Sequence, residues 1–373
     1  MIRDTEILVV GGGPAGLCAA QSAASLGAQV LLLERDYALG GQLVKQTHKF
    51  FGSEKQHAGE RGFQIGADLL AELQASPNIQ VMTETTVLGY YEDGIVTALR
   101  GQEHWKLRPK RTIITTGAAE KFLAFPGNDL PGVYGAGAVQ TLMNVAGVKP
   151  AERVLMVGSG NIGLIVSYQL RQAGVEVAGI VEAAPRIGGY LVHAAKIRRA
   201  GIPILTGHTI KEVFGRGQVE GAVICQLDER FKPVPGTERT IVCDAVCLAV
   251  GLTPLTELCW QAGCEMKFVR ELSGHVPVVD GRLETTVPGL YAAGDVTGIE
   301  EASSAMVEGR IAGCSAAESL GLSPKEAASL REEALRELSL LRAGPAGEKI
   351  HSGIEKLTGE GGTVHVNLYG YSH

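Results

Sequence analysis

Short runs of leucine, isoleucine and valine alternate along this chain with alanine-rich stretches that suit helices. The first apolar run, Glu6–Val10, leads into a glycine-rich turn at Gly11–Gly16, and a helical stretch then continues to Leu26. A second apolar run, Gln29–Leu33, ends on the acid Glu34. A strand, a glycine turn, a helix and a second strand in this order predict a βαβ unit.

The same order of elements returns near the middle of the chain. Arg153–Val157 predicts a strand, Gly158–Gly163 a turn and the residues up to Ala173 a helix, and the strand Glu176–Val181 then ends on Glu182. Both copies share further glycines: Gly27 and Gly40-Gly41 in the first, Gly174 and Gly188-Gly189 in the second. The repeat predicts an α/β fold with two Rossmann-type, three-layer dinucleotide-binding domains.

Each turn has the residue types that bind a pyrophosphate. The first glycine permits the tight turn, the second lets the pyrophosphate approach the backbone, and the third lets helix and strand pack closely. The helix N-terminus offers N–H groups and a positive dipole end, and the acid at the end of the second strand accepts from ribose hydroxyls. The expected binding residues of the first copy are Gly11, Gly13, Pro14, Ala15, Gly16 and Glu34.

The second copy predicts a similar site of the NAD type. Its expected binding residues are Gly158, Gly160, Asn161, Ile162, Gly163 and Glu182. A carboxylate at Glu182 accepts from a ribose 2′-OH and repels a 2′-phosphate, which favours NAD over NADP. Arg186 is interpreted as a solvated surface charge. The alternative is a Rossmann unit that serves as a scaffold without a ligand.

Composition and charge narrow the class of protein. The 373 residues suit two domains, 45% of them are apolar and 20% are charged, as in a globular protein. The net charge of −6 gives no reason to expect nucleic acid or an anionic membrane as a partner. Since we find neither a signal-peptide pattern nor a run long enough for a membrane span, we expect a cytoplasmic protein.

The cysteines indicate neither a metal site nor a disulfide framework. There are seven, an odd number, and no two of them are spaced Cys-x-x-Cys. The sequence therefore has no zinc or iron–sulfur motif, and no metal is expected. Buried, unreactive thiols are the expectation for all of them.

The two fingerprints resemble those of the two-dinucleotide-binding-domain flavoproteins, the pyridine nucleotide-disulfide oxidoreductase superfamily that includes thioredoxin reductase. Thr115–Ala118 and Ala249–Pro254 resemble the strand-end motifs of its FAD and NAD domains, and Thr286–Asp295 is the most specific match. The likeness extends over residues 1–325. It implies FAD at the first site and NAD(H) or another adenine nucleotide at the second.

The resemblance also implies roles for single residues. Asp295 would bind a ribityl hydroxyl of FAD, the helix from Ala302 would direct its N-terminus at the flavin pyrimidine, and the backbone of Val87 would meet the adenine. Ala302–Leu320 is also readable as an amphipathic core helix. Other positions that match are Arg35, Gly41, Gln42, Thr116, Gly117 and Gly294 for FAD, and Gly251 for the NAD-type site.

By this mapping the FAD-binding domain is discontinuous, and the second domain is inserted in it. The predicted bounds are 1–118 and 280–330 for the FAD-binding domain, 119–279 for the NAD-binding-type domain and 331–373 for a C-terminal tail. In the tail, Arg331–Arg342 predicts a charged helix and Thr363–Leu368 an edge strand. Docking of a partner and disorder are both open for this tail.

Dithiol chemistry is excluded because cysteine is absent where relatives have it. Thioredoxin reductase has a Cys-x-x-Cys where this chain has Gly137–Asn144, and glutathione-reductase relatives have a redox disulfide where it has Gly40–Gln46. The basic loop Lys45–Arg61 follows and is expected near the isoalloxazine. His48 and Lys49 are its candidates for catalytic contacts with an anionic substrate or partner, and a solvated loop with two buried phenylalanines is the alternative.

Three segments resemble a subgroup of this superfamily: Gly40–Ser53, Phe125–Val133 and Glu300–Met306. The subgroup contains the α subunits of dye-linked proline and hydroxyproline dehydrogenases, opine oxidases, hydrogen cyanide synthase and heterotetrameric sarcosine oxidase. There a flavoprotein β subunit oxidises the C–N bond, and the α subunit, which holds FAD, NAD or ATP, passes electrons on. Many α subunits have a cysteine-rich iron–sulfur segment, and its absence here implies a third small subunit or another electron exit.

Three functions follow as hypotheses. The first is the FAD-containing α subunit of a multisubunit amine or amino-acid dehydrogenase, acting on a proline-, hydroxyproline- or sarcosine-like substrate. The second is a stand-alone NADH-dependent reductase of a quinone, ferredoxin or dye. The third is a nucleotide-binding scaffold subunit without chemistry of its own, against which Asp295 argues because a ribityl partner serves a flavin.

Overall fold

A computed structural model describes residues 2–50, 55, 57–344 and 347–358. In these ranges the chain forms two compact units. The first unit comprises, as far as they are described, Met1–Val44, Lys49–Ala119 and Thr253–His373, and the second comprises Lys45–His48 and Glu120–Leu252. The predicted edge strand Thr363–Leu368 lies outside the described residues.

The strands, in chain order, are β1 (Ile2–Val10), β2 (Val30–Leu33), β3 (Ile79–Met82), β4 (Thr85–Tyr90), β5 (Val96–Arg100), β6 (Glu103–Ile114), β7 (Ala118–Glu120), β8 (Val133–Gly135), β9 (Arg153–Val157), β10 (Glu176–Glu182), β11 (Ile204–Thr206), β12 (His208–Phe214), β13 (Gly221–Gln226), β14 (Arg239–Val242), β15 (Ala245–Leu248), β16 (Leu252–Pro254), β17 (Met266–Val269), β18 (Gly274–Pro277) and β19 (Leu290–Ala292). The α-helices are α1 (Pro14–Ser25), α2 (Gly62–Gln74), α3 (Ala136–Asn144), α4 (Asn161–Gln172), α5 (Leu191–Arg199), α6 (Glu257–Gln261), α7 (Ala302–Ser319), α8 (Pro324–Leu341) and α9 (Glu348–Thr358).

A mixed seven-stranded sheet forms the centre of the first unit. Its order is β3-β2-β1-β6-β5-β4, and β19 lies beside β6. The neighbours among β3, β2, β1, β6 and β19 pair in parallel, whereas β4 and β5 pair antiparallel. The segments that follow β1, β2, β6 and β19 therefore meet at one carboxyl edge, where open α/β sheets bind ligands.

The second unit has a five-stranded sheet in the order β11-β10-β9-β15-β8. All its neighbours pair in parallel. The turn after β9 and the acid at the end of β10 thus lie at its carboxyl edge, as their counterparts do in the first unit. An antiparallel sheet of β12, β13 and β14 belongs to the same unit.

The local sequence explains how the βαβ units form. The strand Val30–Leu33 is buried at every position, as expected for the middle of a parallel sheet with both faces covered. Helix α1 begins with Pro14, whose fixed φ suits the first helical position, and Gly27 follows its end with a φ of 96°. The corresponding residue after α4 is Gly174, with a φ of 78°.

Helix α7 lies directly on α1 because of two glycines. A Cβ atom at Gly309 would lie 2.1 Å from the carbonyl oxygen of Ala15, and one at Gly313 would lie 2.3 Å from that of Ala19. Nearly all of α7 is buried, so residues 302–320 do form a core helix, but the helix is covered on all sides and is not amphipathic as we expected.

Three segments differ from the predicted bounds. Residues 253–279, which we expected in the second domain, belong to the first unit, because Cys259 and Cys264 pack in one core with Ile114, Leu290 and Ala292. The predicted charged helix begins earlier, at Pro324, and packs against α7. Lys45–His48 belongs to the second unit. Within the part of the chain that is described, each helix is too short or too polar to cross a bilayer.

Candidate functional site

The first glycine-rich turn has no room for side chains at its two ends. Gly11 has a φ of 109°, and a Cβ atom there would lie 2.4 Å from the carbonyl oxygen of Thr115. A Cβ atom at Gly16 would lie 1.9 Å from the carbonyl oxygen of Gly11. Because real Cβ atoms do not approach oxygen so closely, these two positions require glycine.

The middle of this turn is open. Gly13 is the N-cap of α1, and the nearest atom to a Cβ built there is Gly41 Cα, at 3.9 Å. Pro14 and Ala15 follow in the first turn of the helix, whose N–H groups have no acceptor within the helix. The N-terminus of α1 therefore offers donors and a positive dipole end at the carboxyl edge of the sheet.

Glu34 holds the first turn in shape. Its side chain is buried, Oε2 accepts the N–H of Gly12 at 2.6 Å, and Oε1 accepts the N–H of Asp36 at 2.8 Å. A carboxylate oxygen has a second lone pair, so each can still accept from a ligand hydroxyl. Arg35, the next residue, is exposed.

The glycine pair after Glu34 folds back onto this turn. The N–H of Gly40 donates to the carbonyl oxygen of Gly12 at 2.8 Å, and a Cβ atom at Gly41 would lie 2.8 Å from Gly13 Cα. Gln42 is exposed in the 3₁₀ helix that follows, at Gly41–Lys45. The pair thus brings the start of the segment that contains Gln42 next to the turn.

The segment after β19 reaches the same place. A Cβ atom at Gly294 would lie 2.9 Å from Ala15 Cβ, so this segment contacts the start of α1. The next residue, Asp295, is partly buried, and burial, with the Glu308 and Glu300 charges as smaller causes, raises the pKa of its carboxyl to about 7. Helix α7 then begins at Ala302.

Three more predicted positions lie at this edge or near it. Thr116 and Gly117 follow β6, and the Thr116 hydroxyl donates to the carbonyl oxygen of Leu255 at 2.6 Å. Val87 is in β4, two positions after Thr85, whose N–H donates to the carbonyl oxygen of Glu34 at 2.8 Å. The first unit therefore brings the Gly11–Gly16 turn, Glu34, the Gly40-Gly41 pair and Gly294 into contact, while Val87 and Thr116 lie in or directly after strands of the same sheet.

The second turn repeats the first in atomic detail. A Cβ atom at Gly158 would lie 2.3 Å from the carbonyl oxygen of Ala249, and one at Gly163 would lie 2.1 Å from that of Gly158. Gly160 is the N-cap of α4, and a Cβ atom there would meet nothing within 4 Å. The open middle position and the two closed ends are thus the same in both copies.

Other predicted residues of the second site have defined surroundings. Asn161 Oδ1 accepts the N–H of Tyr190 at 2.8 Å, which joins the turn to the segment after the second glycine pair. The Ile162 side chain is exposed, as is Arg186. Gly251 follows β15 with a φ of 108°, and its carbonyl oxygen accepts from the N–H of Lys121.

Glu182 differs from its counterpart in one contact. Its Oε1 accepts the N–H of Ala184 at 2.8 Å, and its Oε2 accepts both the N–H and the hydroxyl of Ser159, at 2.9 and 2.7 Å. Ser159 stands where the first copy has Gly12, which has no hydroxyl. The Glu182 carboxylate is therefore held more firmly than that of Glu34.

The two catalytic candidates of the basic loop, His48 and Lys49, belong to different units. His48 belongs to the second unit, where burial, with smaller contributions from His193 and Lys196, lowers its pKa to about 4. Thr47, its neighbour, accepts from the amide of Gln169 at 2.8 Å. Lys49 belongs to the first unit and is exposed. His48 is therefore a neutral, packed side chain of the second unit.

Sequence reasoning missed two charged residues of the first unit, Glu308 and Arg342. Both are buried, and they form an ion pair. Glu308 also accepts from the N–H of Gly294, beside Asp295. A glutamate in the middle of a helix of small and apolar residues was the available signal, since a buried charge needs a partner.

All seven cysteines are buried, and all are free thiols. Burial raises the pKa of the Cys18 thiol to about 12 and those of Cys243 and Cys314 to about 11. Cys264 differs, because a hydrogen bond with Cys259 lowers its pKa to about 7. A buried thiol with a raised pKa is a poor nucleophile, so Cys18, Cys243 and Cys314 fit the expected inert thiols, whereas the lowered pKa of Cys264 departs from that expectation.

Comparison with known proteins fits this arrangement. An opine oxidase subunit of Agrobacterium tumefaciens (strain Ach5) is 30% identical over 342 residues, which are 85% of this chain and 66% of that protein. The alpha subunit of sarcosine oxidase from Rhizobium meliloti (strain 1021) is 28% identical over 349 residues, 90% of this chain and 31% of that protein. The chain thus spans just under two thirds of the first relative and about a third of the second, and the predicted likeness to such subunits is confirmed.

Two solved structures have a similar fold. L-proline dehydrogenase from P. horikoshii matches with a TM-score of 0.67 and 24% identity, over 89% of this chain and 60% of that one. T. acidophilum thioredoxin reductase matches with a TM-score of 0.69 and 25% identity, over 85% of this chain and 99% of that one. The predicted α/β fold of Rossmann type is therefore confirmed.

The family itself follows from a match over most of the chain. The model of the pyridine nucleotide-disulphide oxidoreductase family matches residues 5–309, which include both glycine-rich turns and Asp295. The flavoproteins of this family use FAD and a pyridine nucleotide. The chain belongs to the pyridine nucleotide-disulphide oxidoreductase family.

Proposed function

We propose that this chain is the FAD-binding α subunit of a multisubunit amine or amino-acid dehydrogenase, in which it passes on electrons from a catalytic β subunit. One observation carries the proposal. The Gly11–Gly16 turn and the Gly294–Asp295 segment meet at one sheet edge, while no cysteine occupies either dithiol position of the family. The site thus suits a flavin whose electrons do not leave through a disulfide of this chain.

The residues at this edge fit FAD. The open position at Gly13 and the N–H groups at the start of α1 suit the pyrophosphate, and Glu34 has lone pairs left for ribose hydroxyls. Burial raises the pKa of the Asp295 carboxyl, and ribityl hydroxyls that donate to it would stabilise its charged form. Bound FAD supplies two-electron redox chemistry. Arg35, Gln42, Val87, Thr116, Gly117 and Ala302 complete the proposed FAD site.

The second site is proposed to hold NAD(H) or another adenine nucleotide. Its turn has the geometry of the first, and Glu182 is fixed by Ser159 and Ala184. A fixed carboxylate at this place accepts from a ribose 2′-OH and disfavours a 2′-phosphate. The same site supports a second candidate function, a stand-alone NADH-dependent reductase of a quinone, ferredoxin or dye.

The relatives motivate the proposed partners. The opine oxidase and sarcosine oxidase relatives are both named as subunits. By analogy, the proposed partners are a flavoprotein β subunit that oxidises the C–N bond and, since this chain lacks a cysteine motif, a small iron–sulfur subunit. The cytoplasm remains the proposed location, and proline, hydroxyproline and sarcosine are the substrate types to test with the complex.

The first experiment examines the purified chain alone. We expect a visible flavin spectrum and FAD as the nucleotide identified by mass spectrometry. A colourless protein that holds NAD or ATP at the first turn would favour the scaffold hypothesis instead. The substitution Asp295→Ala should lower the FAD content, whereas Asp68→Ala, at an exposed position of α2, should not.

The second experiment separates the two enzyme hypotheses. For the α subunit, tagged chain purified from its native host should bring down a second flavoprotein, and the complex should reduce a dye with an amino-acid substrate. For the stand-alone reductase, NADH should bleach the flavin of the isolated chain within seconds. Full dye reduction by the single polypeptide with NADH would contradict the subunit proposal.

A further inference from the structure

One buried carboxylate, that of Glu308, holds the turn that contains Asp295 by hydrogen bonds. Glu308 Oε2 accepts the N–H of Gly294 at 2.8 Å and lies 3.0 Å from the hydroxyl oxygen of Thr297. The N–H of Thr297 in turn donates to the carbonyl oxygen of Gly294 at 2.8 Å. Glu308 therefore fixes both ends of the four-residue turn in whose second position Asp295 lies.

The cation that balances Glu308 comes from far along the chain. Arg342, the residue after α8, is 7% exposed, and its Nη2 donates to Glu308 Oε1 at 2.5 Å. The same guanidinium forms a bidentate pair with Glu300, with Nε 3.1 Å from Oε2 and Nη2 on Oε1. The Arg342 carbonyl oxygen lies 2.7 Å from Nε2 of His351 in α9.

The charges explain why the pair matters to the turn. Burial raises the pKa of the Glu308 carboxyl, and the Arg342 guanidinium opposes that rise. A buried carboxylate whose cation is removed becomes protonated or draws in water, and its hydrogen bonds rearrange. Without Arg342, Glu308 would lie close to the carboxyl groups of Glu300 and Asp295 and would lose the cation that balances their repulsion.

We propose that Arg342 is a positioning residue for the cofactor turn: through Glu308 it holds the turn Gly294–Thr297 in the conformation in which Asp295 receives FAD. Arg342 lies beyond residues 5–309, the part that matches the family. This gives the C-terminal helices a function in the cofactor site, in addition to packing. The inference rests on the proposed FAD site and extends it by residues that do not touch the cofactor.

An ion pair between α7 and α8 provides the control. Arg331 of α8 pairs with Glu318 of α7, and their side chains are 11% and 16% exposed. This pair is not linked to the Asp295 turn. Arg342→Met and Arg331→Met each remove one guanidinium that pairs with a glutamate of α7, and after Arg331→Met Glu318 still pairs with Arg282. The readouts are therefore local to residues 294–297 and to FAD, because a general loss of stability would not be confined to that turn.

The test has two readouts. In the chain without FAD, hydrogen exchange followed by mass spectrometry should accelerate at residues 294–297 in Arg342→Met and stay unchanged there in Arg331→Met. The Kd for FAD should rise about tenfold or more for Arg342→Met and about threefold or less for Arg331→Met. The absorption band of the bound flavin should change only in Arg342→Met. Equal effects of the two variants, or unchanged exchange and Kd in Arg342→Met, would overturn the inference.

Two further variants keep the test decisive if Arg342→Met folds poorly. Arg342→Lys retains the charge without the bidentate geometry and should show a smaller change of both readouts. In the double variant Arg342→Met/Glu308→Gln, a neutral amide oxygen can accept from Gly294 without a cation, so FAD affinity should recover in part. A double variant that binds FAD more weakly than Arg342→Met would contradict the assigned role. If the native chain takes up no FAD, the proposed function fails, and the exchange experiment still decides this inference.

Discussion

Ser159 donates to Glu182 twice, with its N–H at 2.9 Å and its hydroxyl at 2.7 Å from the same carboxylate oxygen. The hydroxyl also lies 3.2 Å from the N–H of Gly188, so that it joins the turn, the acid and the second glycine pair. In the first copy the equivalent residue, Gly12, gives Glu34 a single bond. In the second turn, the Ser159 hydroxyl therefore adds a hydrogen bond that fixes Glu182, the acid that would select between NAD and NADP.

Glu182→Ala should weaken the binding of NADH and reduce the preference of the second site for NADH over NADPH. The variant removes the acceptor of a ribose 2′-OH together with the charge that repels a 2′-phosphate. We expect the Kd for NADH to rise about tenfold, as for the loss of one charge-assisted hydrogen bond. Calorimetry with both nucleotides checks this. Glu176→Ala, at the exposed start of β10, is the control. If the ratio of the Kd values for NADH and NADPH were unchanged in Glu182→Ala, the assignment of Glu182 would be contradicted.

Gly16→Ala should lower the stability of the fold, whereas Gly13→Ala should leave stability unchanged and weaken the binding of FAD. A Cβ atom at Gly16 would lie 1.9 Å from the carbonyl oxygen of Gly11, so the backbone must move, at a cost of about 1–3 kcal/mol in the free energy of unfolding. At Gly13 the nearest atom is 3.9 Å away, so the fold should tolerate alanine. Since that methyl group would lie where a pyrophosphate approaches, Gly13→Ala should bind FAD more weakly.

Denaturant unfolding and FAD titration of both glycine variants separate the two effects. The expected pattern is a lower midpoint for Gly16→Ala and a native midpoint with a raised Kd for Gly13→Ala. A Gly13→Ala variant with native FAD affinity would place the pyrophosphate elsewhere.

Asp295 should make the chain without FAD less stable as the pH rises from about 4 to about 7. Its pKa of about 7 in the folded chain is above the ordinary value of 3.8, so the folded state binds more protons than the unfolded state in this range. Stability then falls with rising pH, and the contribution is lost once the pH exceeds the folded pKa. Glu300, Glu308 and Arg342 are the charged groups that accompany Asp295.

The measurement is urea unfolding at several pH values, compared with Asp295→Asn. The amide does not titrate, so the variant should lose part of the slope and should be the more stable protein above pH 7. Asp68→Asn, at an exposed position of α2, should keep the parent slope. Parallel slopes for the parent and Asp295→Asn would mean that this carboxyl is not perturbed.

Much of the fold could be predicted because it depends on local patterns. The strand predicted at Arg153–Val157 has those bounds in the structure, since a continuous apolar run between turn residues has few alternatives. The first strand begins at Ile2, before its apolar run, because Arg3 and Asp4 are held by pairing with β6 and not by burial. The local pattern of apolar residues cannot predict how a strand pairs with a strand that is distant in sequence.

The rest of the site depends on contacts between distant segments. Glu308 and Arg342 are 34 positions apart and meet only when α7 and α8 pack. Lys45–His48 was expected with the flavin, and its place in the second unit depends on polar contacts such as that of Thr47 with Gln169. Hydrophobic periodicity has no information on such polar pairs, whereas the glycine spacing that builds both turns is entirely local.

The cysteines should be silent in thiol titrations of the native chain. All seven are buried, and burial raises the pKa of Cys18 to about 12, whereas Cys264, with a pKa of about 7, is kept from a reagent by its burial alone. With DTNB we expect less than about one thiol to react within minutes in the native chain, and all seven to react in denaturant. NADH or substrate reduction of the flavin should expose no additional thiol, because neither dithiol position of the family has a cysteine. If reduction of the flavin released two reactive thiols, electrons would leave through a disulfide of this chain after all, and the proposed transfer to a separate subunit would lose its basis.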